Sequence, residues 1–334
     1  MKKINRTLLI GLGGAGKEIV NSAKSNYKKS DSSLREYLVI DTDNQDLNRA
    51  ELLSEETFSI SINQSPSHII QNNPKIQRWM PQSLWHLHLE NMINGTGQLR
   101  AFGRLALLCN YDAIKSLIQS KIQNLNDYQN IQLGDLQEIE VIICFSICGG
   151  TGSGIFLDVA NIAKEYLNEN GLINANILMP SIYDDKIKHS ICKKRIFGNA
   201  YASIRELDFF MSWRGWHKEP KYILNMISNL DFRMYNHTSN GPFNNVYYYN
   251  NKDNNNRHYQ FKDIIDIIST NIINNTENLF ANYSPNIPLY EKCIEEYQTN
   301  SLGSGIFNID KRITNKMDDA KFELVSMTPN YSLS

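Results

Sequence analysis

The chain has 334 residues, 41% hydrophobic and 21% charged, with 34 Lys and Arg against 35 Asp and Glu. This composition excludes wholesale disorder and a membrane bundle, and the length suits about two domains. A formal charge of -1 gives no electrostatic ground for nucleic acid or an anionic membrane as the main partner, and five scattered cysteines with no early leader pattern point to a reducing cytoplasm.

Residues 7–10 form an apolar run ending in glycines, and Ile19, Val20 and Ala23 then recur at helical spacing, which predicts strand, turn and helix. Residues 37–40 give a second buried strand closed by Asp41, Thr42 and Asp43, and 59–62 a third. The stretch 66–98, with Trp79 and Trp85, reads as an irregular or mixed insertion. From 99 to 122 the spacing is helical, with a break near 110–112. An uninterrupted apolar strand at 141–147 runs into glycines and a helix at 155–167, repeating the first unit. A strand at 175–179, a helix at 193–211, a strand at 246–249 and a helix at 259–273 follow, and the asparagine-dense stretches 240–256 and 271–286 read as surface loops. Alternating strands and helices predict an α/β fold with a mostly parallel sheet covered on both faces.

Chemistry concentrates in two glycine loops. The first, Gly11 to Lys17, fits G-x-G-x-x-G, which with Asp41 or Asp43 on the next strand is a dinucleotide fingerprint. It also nearly fits a P-loop ending in Lys17, except that Glu18 replaces the hydroxyl that would bind magnesium. The second, Cys148-Gly149-Gly150-Thr151-Gly152-Ser153-Gly154, follows a buried strand and opens a helix, so its main-chain N–H groups and two hydroxyls can wrap a phosphate. A dinucleotide enzyme has no need of it. His86 with His88, and Cys144 with Cys148, lack companions at ligand spacing, so no protein metal centre is expected.

G-G-T-G-S-G after a strand resembles the signature loop of the tubulin and FtsZ superfamily of GTPases. The first loop, the segment Tyr37 to Gln45, and Gly95-Thr96-Gly97-Gln98 fall in that family's order. The stretches Gly97 to Ala106 and Asn199 to Asp208 resemble the bacterial tubulin-like proteins more than FtsZ itself. The resemblance implies a Rossmann-like GTPase domain over 1–258, a connecting core helix over 259–280 and a small C-terminal lobe over 281–334.

It also implies GTP or GDP, with magnesium, across the carboxyl ends of the strands. Gly13, Gly14 and Ala15 would approach the phosphates, Gly149 through Gly154 would hold the α and β phosphates, and Gly95, Thr96, Gly97 and Gln98 would lie near the γ phosphate. Asp43 would influence the magnesium, and Arg100, with Arg104 one turn on, would offset phosphate charge or lie on a solvated or intersubunit face. Arg195 and Asn199 would reach the ribose. Asn250 or Asn251, and Asp263 with Tyr259, would read the base. In this family a neighbouring subunit completes the pocket, which implies head-to-tail self-association with Asp310 as the catalytic acid, but Ile313 stands where a further acid is expected. Two other readings stay open: a nucleotide sensor without turnover, and an NAD-dependent oxidoreductase built on the first loop.

Overall fold

A computed structural model describes residues 3–27, 33–87, 90–127, 135–187, 190–211, 241–252 and 257–276. Six strands form one sheet: β1 (Lys3–Leu12), β2 (Ser33–Asp41), β3 (Thr57–Ser59), β4 (Asp135–Ser146), β5 (Leu172–Leu178) and β6 (Asn245–Tyr249). Every neighbouring pair is parallel, in the order β3-β2-β1-β4-β5-β6. Parallel strands require crossovers, and these are mostly helical: α1 (Gly13–Asn26) follows β1, the single turn α2 (Asn44–Leu47) follows β2, and α7 (Thr151–Tyr166) follows β4.

The central strands read as continuous apolar runs because both their faces are covered. Along β1, Leu8, Ile10 and Leu12 belong to one core layer and Leu9 to the other, the period-two alternation of a strand. The larger layer packs against α5 (Arg100–Cys109), α6 (Tyr111–Asp127), α7 and α8 (Ser190–Met211). The smaller layer is closed by Ile19 and Val20 of α1 and by Ile264, Ile265 and Ile268 of α9 (Phe261–Thr276), the helix expected to connect to a second lobe. That lobe, at 281–334, lies outside the described residues, as does Asp310.

One expectation changes. Strand β3 ends at Ser59, and Ile62 makes instead an isolated antiparallel bridge with Met92. The insertion at 66–98 is partly helical, with α3 (Pro66–Gln71) and α4 (Pro74–Gln77), and it delivers Ile70, Ile76, Trp79 and Met80 to the main core. The expected break between α5 and α6 falls at Asn110, whose side-chain amide donates to the Ala106 carbonyl at 2.9 Å. Among the described residues no helix is long and apolar enough to cross a membrane.

Candidate functional site

Strand order reverses between β1 and β4, and in open parallel sheets the crevice beyond the carboxyl ends at such a point is the usual ligand site. That order is shared with dinucleotide folds, so it does not choose a ligand. The two glycine loops do more. They leave adjacent strands and meet: a Cβ built on Gly13 would stand 3.3 Å from the Gly152 nitrogen. Between them opens a cleft of about 320 Å³ lined by Gly13, Gly14 and Ala15 on one side and Gly149, Gly150, Thr151 and Gly152 on the other. The N-termini of α1 and α7 both start at this cleft, placing unpaired N–H groups and positive dipole ends beside it.

The glycines divide by what a side chain would strike. Gly13 needs its left-handed backbone, φ 69°. Gly150 abuts Thr96, and Gly154 abuts the carbonyl oxygen of Arg100, so these two let α5 and the loop before it approach α7. Gly152 lies 2.8 Å, measured from an added Cβ, from the Leu12 oxygen. Gly149 is different: nothing lies within 4 Å of its Cβ position, and its φ is not in the left-handed range. Neither packing nor backbone conformation demands glycine there, and the residue lines the cleft. Close approach inside the protein accounts for three of the loop's four glycines.

A third wall comes from residues 95–98, where Gly95, Gly97 and Gln98 all have positive φ, at 88°, 59° and 65°. Asp43 faces it across an isolated bridge to Asn94. Its Oδ1 accepts the N–H groups of Gln45 at 3.0 Å and Asp46 at 3.1 Å, capping α2. The apolar end of the cleft is Tyr183, Ile187 and Ile196.

Three carboxylates line the cleft, Asp41, Asp43 and Asp46, and no Lys or Arg does among the described residues. An anion here must therefore be held by N–H groups and helix dipoles and must bring a cation with it, which fits a magnesium-carrying polyphosphate. Lys17 is not available: its buried ammonium sits 2.7 Å from Asp46 Oδ1 and 3.1 Å from Glu18 Oε1, which removes the P-loop reading. Burial pushes the Cys148 thiol up to about 12, so it stays protonated and inert at the cleft floor.

Burial also raises the Asp41 carboxyl from 3.8 to about 6, against the opposing main-chain N–H of Thr42 at 2.7 Å. The folded state thus holds this proton more tightly than the unfolded chain does, and the resulting stability is full below about 4 and lost as pH rises through about 6. Asp41→Asn is expected to stabilise the nucleotide-free protein at pH 7.5 by about 2 to 3 kcal/mol and hardly at all at pH 4. Urea melts at the two pH values check this; an equal gain at both would contradict it.

Several expected ligand contacts are placed elsewhere. The Arg100 guanidinium is buried against Glu206, at 2.5 and 3.1 Å, and donates to the Ser153 carbonyl, so it is not turned to phosphate. Arg104 is likewise buried against Asp158, at 3.2 Å. The Ser153 hydroxyl donates to the Gly149 carbonyl, and the Thr151 hydroxyl pairs with that of Thr42 at 2.7 Å. Arg195 donates to the Gly97 carbonyl at 3.2 Å, and Asn199 to the carbonyls of Gln98, Cys148 and Gly149. Asn250 accepts from the Ser181 hydroxyl at 3.1 Å, and Asp263 accepts from the Gln260 N–H at 2.9 Å at the start of α9. None of Arg100, Ser153, Gly154, Arg195, Asn199, Asn250 and Asp263 lines the cleft. The sequence reading missed Asp46, Tyr183 and Ile187 there; Asp46 falls just past the Tyr37 to Gln45 segment, and Tyr183 follows the end of β5.

The structure is similar to CetZ1 from Haloferax volcanii as a GDP-bound monomer, with 12% identity, TM-score 0.44, and 81% of this chain and 58% of that chain covered. It is similar also to CetZ2 from Haloferax volcanii as a GTPγS-bound protofilament, with 13% identity, TM-score 0.45, and 89% and 64% covered. A GTPγS-form protofilament of TubZ from Bacillus thuringiensis serovar israelensis gives 14% identity, TM-score 0.42, and 80% and 55% covered. The chain thus spans less than two thirds of the length of each of these proteins. No curated protein matches the sequence. The family model described as "Tubulin like" matches residues 8–299, from the first strand past the last described helix, and the chain belongs to that tubulin-like family.

Proposed function

We propose that this protein binds GTP and GDP with magnesium in the cleft between its glycine loops, works in the cytoplasm, and associates head to tail with copies of itself. The observation that carries the reading is the meeting of Gly13 and Gly152 over one cleft that Gly149 leaves open. Main-chain N–H groups of residues 13–15 and 149–152 hold the phosphates, and residues 95–98 meet the terminal one. Asp43 and Asp46 would hold the magnesium, which when bound would neutralise phosphate charge. Heterologous contacts between copies generate open filaments, and a neighbour's Asp310 would orient water for hydrolysis. A sensor without turnover is the second reading, favoured by Ile313 in place of a further acid.

Chromatography of nucleotide released from gently purified protein is expected to show GDP or GTP. Bound NAD, or no affinity for guanine nucleotide, would end the proposal. Phosphate release with magnesium, accompanied by rising light scattering, supports the assembling GTPase, while tight GTP binding without release supports the sensor.

A further inference from the structure

Residues 95–98 run between the bridge at Asn94 and the start of α5. Left-handed backbone is free for Gly95 and Gly97 but disfavoured for Gln98, at φ 65° the one non-glycine residue of positive φ among the described residues. Something must hold it, and two side chains of α8 one turn apart do so. Arg195 donates to the Gly97 carbonyl at 3.2 Å, and Asn199 Nδ2 donates to the Gln98 carbonyl at 2.9 Å.

The same Nδ2 lies 3.0 Å from the Cys148 oxygen and 3.3 Å from the Gly149 oxygen. Three carbonyls from two loops thus converge on one nitrogen that carries two hydrogens. Since all three accept, the orientation of the amide is fixed by its partners, and an oxygen in that place would be repelled by each. The second loop has other anchors: the Cys148 N–H donates to Ser146 Oγ at 3.1 Å, and the Ser153 hydroxyl donates to the Gly149 oxygen.

We propose that Asn199 is a positioning residue, a brace that keeps loop 95–98 left-handed and in register with the second glycine loop. The inference rests on the guanine-nucleotide reading. It replaces the sugar contact that resemblance implies with a role exerted through the backbone. Loss of the brace lets Gln98 relax, which withdraws the wall facing the terminal phosphate, whereas the inner phosphates keep the sheet-anchored starts of α1 and α7. Asn199 therefore sets the preference for triphosphate over diphosphate.

The test is calorimetric titration of parent, Asn199→Ala and Asn199→Asp with GTP and with GDP, in magnesium. Asn199→Ala is expected to weaken GTP binding about tenfold and GDP binding less than about threefold, with Asn199→Asp worse for GTP. Equal losses for both nucleotides, or none, overturn the positioning role. A parent that binds neither overturns the guanine reading, and with it this inference. Hydrogen exchange of the nucleotide-free proteins needs no binding: the Asn199→Ala chain is expected to exchange faster at residues 95–99 while α1 and α7 are unchanged. Faster exchange across the whole chain would make Asn199 merely structural and overturn the proposal.

Discussion

Gly149→Ala is expected to leave the melting temperature within about 2 °C of the parent while weakening guanine-nucleotide binding at least about a hundredfold. The two halves of this result come from one observation. The added methyl meets no protein atom within 4 Å and needs no left-handed backbone, so folding has no reason to suffer. Gly149 lines the cleft at the start of α7, where the proposed phosphate would come within hydrogen-bond distance of main-chain N–H groups and a methyl would stand in its way. Gly154→Ala, in the same loop, is expected to do the reverse, since its methyl collides with the Arg100 carbonyl and must force α5 from α7. Thermal melts and nucleotide titration of the two variants check the pair. Equal behaviour of the two variants would mean that Gly149 has no ligand to accommodate.

Arg100→Met is expected to destabilise the protein by about 3 to 5 kcal/mol, because it removes one member of a buried ion pair. Side chains of Arg100 and Glu206 are each 2% exposed, and the guanidinium reaches both carboxylate oxygens as well as the Ser153 carbonyl. Most domains have only about 5 to 15 kcal/mol of stability, so the single variant is expected to unfold at low urea. Arg100→Met combined with Glu206→Met removes both members of the pair and recovers most of the loss. The double variant also separates structure from binding. With Arg100 joined to Glu206 instead of phosphate, it folds and binds nucleotide within a few-fold of the parent; a folded double variant without affinity would return Arg100 to the phosphates.

The sheet was legible because its strands are buried on both faces, so that residues 7–10, 37–40 and 141–147 stand out as apolar runs. The glycine loops were legible because each sits between such a run and a helical repeat. What each glycine does was not: Gly149 and Gly154 are the same letter, and only the neighbours show that one faces the cleft and the other the Arg100 carbonyl. Arg100 and Arg104 show the same limit, since their partners Glu206 and Asp158 lie 106 and 54 residues away in the chain. Residues 66–98 hid their core role because α3 and α4 have only 6 and 4 residues, too few for a helical period to register.

The central claim is that both glycine loops close on one polyphosphate, and a crystal structure with GDP and magnesium tests it most directly. It is expected to show phosphate oxygens within hydrogen-bond distance of main-chain nitrogens from residues 13–15 and from residues 149–152 at once. A diphosphate held by the first loop alone, with the space over Gly149 filled by solvent, would contradict the account.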